Sequence, residues 1–489
     1  MPARLKRSRE FASFEHPTQM AETSQNAQSE SQRALEQPGP ESLRDVLQEE
    51  KQEFAAPASR DSRLALAVRA LRHRNFQLFF TGQLISLIGT WMQTVAQSWL
   101  VYRMTNSALL LGTVGFASQF PVFLTAPIGG IVADRNNRQR VVIATQTASM
   151  ILAGILAALT LTDRVQVWHI MVLAAGLGVV NAFDIPARQA FLIDMVGRED
   201  LMNAIALNSS MFNGARIIGP AIAGILVASI GEGWCFFANA VSYIAVIAGL
   251  LLMRIQHPAN LAKEGSPVQH IVEGFQFAKN TLPIRSILLL LGLVSFVGMP
   301  YTVLMPVFAD RILHGGARAL GILMCSTGVG ALLGAASLAA RVGLRGLGRL
   351  IAICSAGFGV SLVFFSFSKI FWLSTILLLP VGFCIMVQMA SSNTLIQSMV
   401  PDHLRGRVLA VYTMMFMGMA PFGALFAGAV AHRIGSPWTV ASGGLACIVG
   451  GALFWMQLPA FRREARELVL AQGMMAGTPA QGVNSGGLS

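Results

Sequence analysis

The most constraining feature of this chain is a succession of long apolar segments separated by short charged ones. Of its 489 residues, 54% are hydrophobic and only 12% are charged, whereas soluble domains usually carry about 25% charged residues. Each apolar segment runs for roughly 20 residues, the length that a helix needs to cross a hydrocarbon core about 30 Å thick. The composition therefore argues against a water-soluble enzyme and predicts an all-α polytopic membrane protein.

The apolar segments predict twelve transmembrane helices. Because the number is even, both termini should lie on the same side of the membrane. The predicted spans cover residues 76–102, 108–132, 141–161, 167–183, 204–229, 234–253, 286–309, 317–340, 350–367, 370–394, 408–431 and 439–458.

Lysine and arginine are divided unequally between the two sets of loops. With the N-terminus inside, fourteen of them fall in the predicted cytoplasmic connections and six on the other side. This excess favours cytoplasmic N- and C-termini. Five tryptophans agree, because they fall at the predicted outer ends of spans, where their rings mark the membrane interface: Trp99, Trp168, Trp234, Trp372 and Trp438.

The chain repeats itself weakly. LISLIG, starting at Leu84, matches LVSFVG, starting at Leu293, at an offset of 209 residues, and Ile230-Gly231 matches Ile434-Gly435 at an offset of 204. The first six spans are therefore expected to be duplicated as the last six, in two pseudo-symmetric bundles related as parallel repeats.

Five regions follow from this repeat. Residues 1–63 are rich in Ser, Gln, Glu and Pro and are expected to form a disordered cytoplasmic arm. Residues 64–254 and 286–458 are the two six-helix bundles. Residues 255–285 form a cytoplasmic connector between them, and residues 459–489 form a cytoplasmic tail.

The loop between the second and third spans, residues 130–140, reads GIVADRNNRQR. It resembles the motif G-x-L-A-D-R-x-G-R-[KR]-[KR] of the major facilitator superfamily, whose fold has two six-helix bundles. Gly130 would permit close helix packing, and Asn137, in place of the usual glycine, tolerates a left-handed turn. The resemblance implies a conformational latch, in which this loop binds the second half and holds the outward-open state. Its predicted members are Gly130, Asp134, Arg135, Arg138 and Asp184, the last as a partner of Arg135 or Arg138.

The fifth span carries ARIIGPAIAG over residues 215–224. This resembles the antiporter motif G-x-x-x-G-P-x-x-G-G of the superfamily, with alanine at two glycine positions. Gly219, Pro220 and Gly224 would allow tight helix packing and a bend. The resemblance implies export in exchange for protons; packing alone is the alternative reading.

Arg216 is the basic residue placed well inside a predicted span. Burying such a charge in lipid costs at least about 2.5–3.5 kcal/mol, so it should face a cavity or an acid. Ser209 and Asn213 share its helical face at i−7 and i−3. A role in binding substrate or proton and a purely structural ion pair are both open.

A second polar stripe follows the first span. It consists of Ser86, Thr90, Gln93 and Gln97, with Trp91 beside it, and such a stripe should face water or substrate rather than lipid. Hydrogen bonding between helices is the alternative. Further cavity candidates are Gln388 and Tyr412, with Asn181, Tyr301, Ser392 and the methionines of the eleventh span as weaker ones.

Residues 182–191 and 203–209 resemble the branch that contains enterobactin exporters and related siderophore or drug efflux proteins. The chain lacks G-x-S-x-G, H-E-x-x-H and G-x-x-x-x-G-K sequences, so nothing supports an enzyme, a zinc site or ATP-driven transport. No cofactor, metal or nucleic-acid partner is expected. No carboxylate lies mid-membrane in the first or fourth span, which leaves the proton carrier undetermined.

These observations predict a monomeric secondary transporter of the inner (plasma) membrane. It would export a small amphipathic organic molecule, siderophore-like or drug-like, by alternating access, with protons as coupling ion. Two alternatives stay open: a metabolite importer of the same fold, and a membrane receptor or scaffold whose N-terminal arm recruits a partner.

Overall fold

The computed structural model describes residues 69–255, 267–341, 343–344 and 346–475. The predicted disordered arm lies outside these residues, as do parts of the connector and of the C-terminal tail. The description begins with a short 3-10 turn, Arg69–Arg72, which leads directly into the first long helix.

Thirteen helices follow this turn in the described residues. The first six are α1 (Arg74–Thr105), α2 (Ala108–Arg135), α3 (Arg138–Leu161), α4 (Val167–Val196), α5 (Leu201–Ile230) and α6 (Glu232–Leu251). A short connector helix, α7 (Pro267–Asn280), precedes α8 (Leu282–Ile312), α9 (Gly316–Ala339), α10 (Leu347–Phe367), α11 (Phe371–Met399), α12 (Asp402–Ile434) and α13 (Ser436–Met475).

Eleven of the described helices are long and apolar enough to cross a membrane. The remaining predicted span is the first, residues 76–102; it corresponds to α1, which is 32 residues long but carries the predicted polar stripe. It packs against α6 and α5 as part of the first bundle. The all-α fold with twelve long helices is therefore confirmed, and the polar stripe explains why α1 is the least apolar of them.

The two halves use the same helix pairings. In the first half, α2 packs on α4 and α3 on α6; in the second, α9 packs on α11 and α10 on α13. The same tight turn also occurs in both halves: Gly231 ends α5 with φ 90° and Gly435 ends α12 with φ 86°. Only glycine adopts such a backbone without strain. The predicted repeat thus has a structural counterpart.

The helix boundaries differ most from the prediction in α4, which continues to Val196 beyond the predicted end at residue 183, and in the last helix. The last helix continues to Met475, well beyond the predicted end of the span at residue 458, although Pro459 lies within it. The connector also contains a regular helix, α7. Both segments contain charged residues, and helix continuity there is decided by local propensity rather than by apolar length.

Two ends of the bundle can be distinguished by charge. We call the end that carries the α2–α3, α4–α5 and α11–α12 connections the basic end, since Arg138, Arg188 and Arg405 lie there. At the opposite end, four of the predicted interface tryptophans are strongly exposed: Trp168, Trp234, Trp372 and Trp438. Exposed rings at a common level are typical of a membrane interface.

A candidate substrate cavity between the two halves

A cavity of about 1390 Å³ lies between the two halves. Helices α1, α2, α4 and α5 of the first half and α8 and α12 of the second contribute most of its wall. At the basic end the wall includes Ile185, His403 and Arg407; towards the opposite end it reaches Val101 and Leu111. The cavity therefore extends through much of the bundle.

Two helix contacts close the opposite end. On α2, a Cβ atom added to Gly112 would lie 2.9 Å from the Cα atom of Gly428 on α12. On α5, a Cβ atom at Gly224 would lie 3.0 Å from the Cα atom of Gly321 on α9. Small residues at both crossings allow the backbones to touch. The structure is thus closed at the opposite end, and its cavity extends towards the basic end.

The polar stripe of α1 forms one side of the cavity. Thr90, Trp91, Gln93 and Gln97 all line it, whereas Ser86 is buried away from it. The Nδ2 atom of Asn239 on α6 donates to Gln93 Oε1 at 2.6 Å. The stripe therefore faces the cavity and also binds a neighbouring helix, so the two readings of it coexist.

Arg216 also faces the cavity. It lies at the midpoint of α5, and its guanidinium carbon is 5.8 Å from the centre of the Trp91 ring. Trp91 in turn packs edge-on against Phe212, with ring centroids 5.6 Å apart. This is cation–π geometry. Among the described residues Arg216 makes no ion pair.

The other two members of the predicted α5 face do not reach the cavity wall. Asn213 is buried and donates to the Ser209 carbonyl at 2.9 Å, and Ser209 is exposed. Ser209 lies seven residues before Arg216, about 10 Å along the helix axis. Of the three residues predicted to share this helical face, the cavity touches only Arg216.

The two strongest candidates in the second half are also not on the wall. Gln388 is fully buried, and its amide has no hydrogen-bond partner among the described residues; the Ser391 and Ser392 hydroxyls beside it also lack one. Tyr412 donates to the Met389 carbonyl at 3.0 Å. The placement of Gln388 and Tyr412 on the cavity wall is therefore wrong for this structure, because Gln388 is buried on α11 and the Tyr412 hydroxyl of α12 is bound to the α11 backbone.

The sequence reasoning missed several wall residues that stand alone in apolar helices. A single polar residue makes no stripe, so no periodicity singled them out. They include Ser118 and Gln119 on α2, Thr302 on α8, Thr327 on α9 and Thr413 on α12. The weaker candidates Asn181 and Tyr301, and the methionines Met414 and Met417, do line the cavity.

The predicted latch is not formed in this structure. Asp134 is exposed at the end of α2 and makes no ion pair with any described residue, and nothing lies within 4 Å of a Cβ atom added to Gly130. The close helix contact belongs instead to Gly129, where an added Cβ would lie 1.9 Å from the Ala182 carbonyl oxygen on α4. The expectation of tight packing at Gly130 is wrong for this structure, because the space beside the residue is open.

The predicted pairing of Asp184 also needs correction. Asp184 is buried on α4, where it binds Arg188 one turn later at 3.2 Å and accepts from Thr145 and Gln146, each at 2.8 Å. Arg138 binds Asp194 at 3.0 Å. An i,i+4 partner on the same helix is always within reach, which explains why Asp184 has no need of Arg135 or Arg138.

Asn137 has a different backbone role from the predicted one. Its φ is −64°, outside the left-handed region, and its side-chain oxygen accepts from the backbone N–H of Arg140. This is the N-cap of α3. Asparagine at this position therefore starts a helix rather than permitting a left-handed turn.

The antiporter-like motif of α5 packs against both halves. A Cβ atom at Gly219 would lie 2.5 Å from the Trp91 Cβ atom on α1, and Gly224 meets Gly321 on α9. Pro220 lines the cavity between these contacts. The geometry accounts for all three residues through packing.

Comparison with known proteins identifies the family. Residues 65–476 match the profile described as transmembrane secretion effector. The chain belongs to this family of the major facilitator superfamily.

Several relatives in this superfamily are similar over most of their length. The staphyloferrin A transporter of Staphylococcus aureus (strain NCTC 8325 / PS 47) is 27% identical, over 77% of this chain and 94% of its own. The multidrug efflux pump Tap of Mycolicibacterium fortuitum is 27% identical, over 71% and 87%. The enterobactin exporter EntS of Shigella boydii serotype 4 (strain Sb227) is 24% identical, over 80% and 93%. The predicted resemblance to siderophore and drug efflux proteins is confirmed.

Solved structures of the superfamily share the fold. A bacterial homologue of the human lysosomal transporter Spinster, described as inward-facing and unoccupied, aligns with a TM-score of 0.61 at 14% identity, covering 80% of this chain and 97% of that one. The nucleoside transporter NupG aligns with a TM-score of 0.59 at 14% identity, covering 80% and 98%. These structures share the fold of the chain, and the family match together with the spanning helices makes it a multi-pass membrane transporter.

Proposed function

We propose that this protein exports a small amphipathic organic molecule from the cytoplasm by alternating access. One observation carries the proposal: a large cavity between the two halves that is closed at one end and extends towards the other. Its volume of about 1390 Å³ exceeds the roughly 300–1,000 Å³ of common small-molecule sites. A bulky substrate fits this space.

Charge and family support the proposed direction of transport. The excess of arginine and lysine in the loops of the basic end favours a cytoplasmic location for that end, and on this proposal the termini are cytoplasmic and the cavity loads from inside the plasma membrane. The family description names secretion, and the relatives include an enterobactin exporter and a multidrug efflux pump. Together these support outward transport.

The latch completes the proposed cycle. When the halves rock to close the basic end, the open space beside Gly130 is filled by the second half, and Asp134 gains a partner there. In the present state both are free of such contacts. The cycle needs one chain only, because each chain contains both halves of the cavity, and we propose a monomer.

Inward proton flow is the proposed energy source. None of the described cavity-lining residues is Asp or Glu, so a proton would have to travel by another route. Asp184 is a buried carboxylate inside the spanning helix α4, and it is held by Arg188, Thr145 and Gln146. We propose Asp184 as the proton-carrying group.

The experiment is a comparison of small molecules inside cells and in the medium. The native host would carry the intact gene, a deletion, Asp134→Asn, or the matched control Asp163→Asn, which removes an exposed charge at the opposite end. We expect a compound to accumulate inside the deletion and Asp134→Asn strains and to be released by the other two. Depletion of a compound inside the deletion strain would instead establish the importer, and unchanged pools would overturn the export proposal.

A further inference from the structure

The charge of the cavity wall is one-sided. Among the described wall residues there are two arginines, Arg216 and Arg407, and one histidine, His403, but no aspartate or glutamate. Arg407 lies at the basic end and is ion-paired with Glu273 of the connector helix α7. Arg216 therefore supplies the uncompensated positive charge at the centre of the cavity.

The surroundings of Arg216 leave its donors available. Its guanidinium carbon lies 5.8 Å from the centre of the Trp91 ring, and an aromatic ring contacted in this way takes up none of the five guanidinium N–H groups. The hydroxyl of Tyr301, another wall residue, is buried beside Thr327. The donors available to a ligand at this level of the cavity are therefore those of Arg216.

An unpaired cation in the middle of a membrane protein is costly. The cost is recovered when an anion binds, because charge-assisted and bidentate hydrogen bonds between arginine and an oxyanion are among the strongest in proteins. A cationic substrate would meet only repulsion from Arg216, with no wall carboxylate to offset it. The wall thus favours one sign of substrate charge.

We infer that the substrate is an amphipathic organic anion, whose oxyanion binds Arg216 and whose apolar body packs against the adjoining wall. This inference rests on the proposed transport function and names the substrate class of the same cavity. Trp91 and the methionines Met299, Met305 and Met324 supply the apolar surface. Methionine side chains are polarizable and adapt to irregular shapes, so the body of the anion can vary while its charge is specified.

The test compares two probes that share one ring system and differ in permanent charge: 1-naphthalenesulfonate and trimethyl(1-naphthyl)ammonium. Binding to the full-length protein in lipid nanodiscs is measured by equilibrium dialysis, with empty nanodiscs as the blank. We expect the wild type to bind the sulfonate at least about tenfold more tightly than the ammonium. Arg216→Gln should bring the ratio close to one, and Arg216→Lys should keep part of the preference.

Two further variants control for folding and for general charge. Arg433→Gln removes an exposed arginine at the opposite end, outside the cavity wall, and should leave the ratio unchanged. Gln97→Glu places an isosteric negative charge on the wall while Arg216 is intact, and should weaken sulfonate binding. If Arg216→Gln aggregates during purification, the effect of Gln97→Glu on sulfonate binding decides the test.

The outcomes separate this inference from the transport proposal. Equal affinity for both probes, no saturable sulfonate binding at millimolar concentration, or a preference unaffected by both Arg216→Gln and Gln97→Glu would overturn the anion site. An Arg216-dependent preference in a protein whose deletion leaves cellular pools unchanged would keep the anion site and overturn export. Export by a protein whose binding shows no charge preference would keep the export proposal and overturn the anion site.

Discussion

Gly112 on α2 and Gly428 on α12 face each other so closely that a Cβ atom on either would lie 2.9 Å from the Cα atom of the other. The two residues belong to different halves, so this contact exists only while the opposite end is closed. Its geometry makes the closed end sensitive to a single methyl group, since an added Cβ at Gly112 would also lie 2.5 Å from the Ala424 carbonyl oxygen.

Gly112→Ala should therefore shift the protein towards the state that is open at the opposite end. Overpacking typically costs about 1–3 kcal/mol, and here only the closed form bears that cost. Distances between spin labels at Met104 and Ile434, both exposed at this end, would measure the shift. Gly154→Ala is the control, since nothing lies within 4 Å of a Cβ atom there. Identical distance distributions for both variants would contradict the expectation.

Asp134→Asn should leave the present state unaltered and destabilise the other one. The carboxylate is exposed here and makes no ion pair with a described residue, so its removal costs this state nothing, whereas the proposed latch needs it. We expect the label pair at the opposite end to report a larger closed population than in the wild type. Asp163→Asn should behave like the wild type; a shift of equal size in that variant would assign the effect to net charge.

Asp184→Ala should destabilise the first bundle strongly. It removes the partner of Arg188, whose side chain is only 19% exposed, and breaking a buried ion pair by deleting one member costs about 3–5 kcal/mol. Asp184→Asn keeps a hydrogen-bonding side chain and should cost less. Thermal unfolding of the purified variants in one detergent gives the order, with Glu199→Ala as an exposed control. Equal melting temperatures for Asp184→Ala and Glu199→Ala would refute the structural role.

Glu273→Gln should loosen the connector helix from α12 without unfolding the protein. The Arg407–Glu273 pair is partly exposed, with side chains 28% and 38% accessible, and such pairs contribute about 0–1 kcal/mol. We expect faster hydrogen exchange in α7 and an unchanged melting temperature. Lys279→Gln is the control on the same helix; if it accelerates exchange equally, the ion pair is not what holds α7.

The positions of the helices could be predicted from the sequence because crossing a membrane imposes a length and an apolar composition on each segment. The repeat could also be predicted from the sequence, because equivalent positions in the two halves carry the same residues. Gly231 and Gly435 end equivalent helices in a backbone that only glycine adopts freely, so both halves retain the same residue at the same turn. The family resemblance also rested on local sequence.

The cavity was predicted only in part. Three of the four polar residues of the α1 stripe line the cavity, whereas Ser86 does not; the stripe could be found because polar residues at helical spacing define a face by themselves. Gln388 was misassigned, since its helix has a polar face but the sequence does not say whether that face points to the cavity or into its own bundle. The prediction of the ion-pair partner of Asp184 was wrong for a similar reason. Arg138 and Arg188 both lie near the basic end, and the sequence does not say which of them Asp184 contacts.

The sequence by itself therefore determined the number, length and order of the spanning helices, their repeat, and the residue types available to each helical face. Tertiary structure alone decided which end is closed, which faces meet the cavity, and that Arg216 stands there without an acid among the described residues. The physical reason is that helix periodicity and membrane thickness act within one segment. The rotation of a helix about its axis and the rocking of the halves depend instead on contacts between segments far apart in the chain.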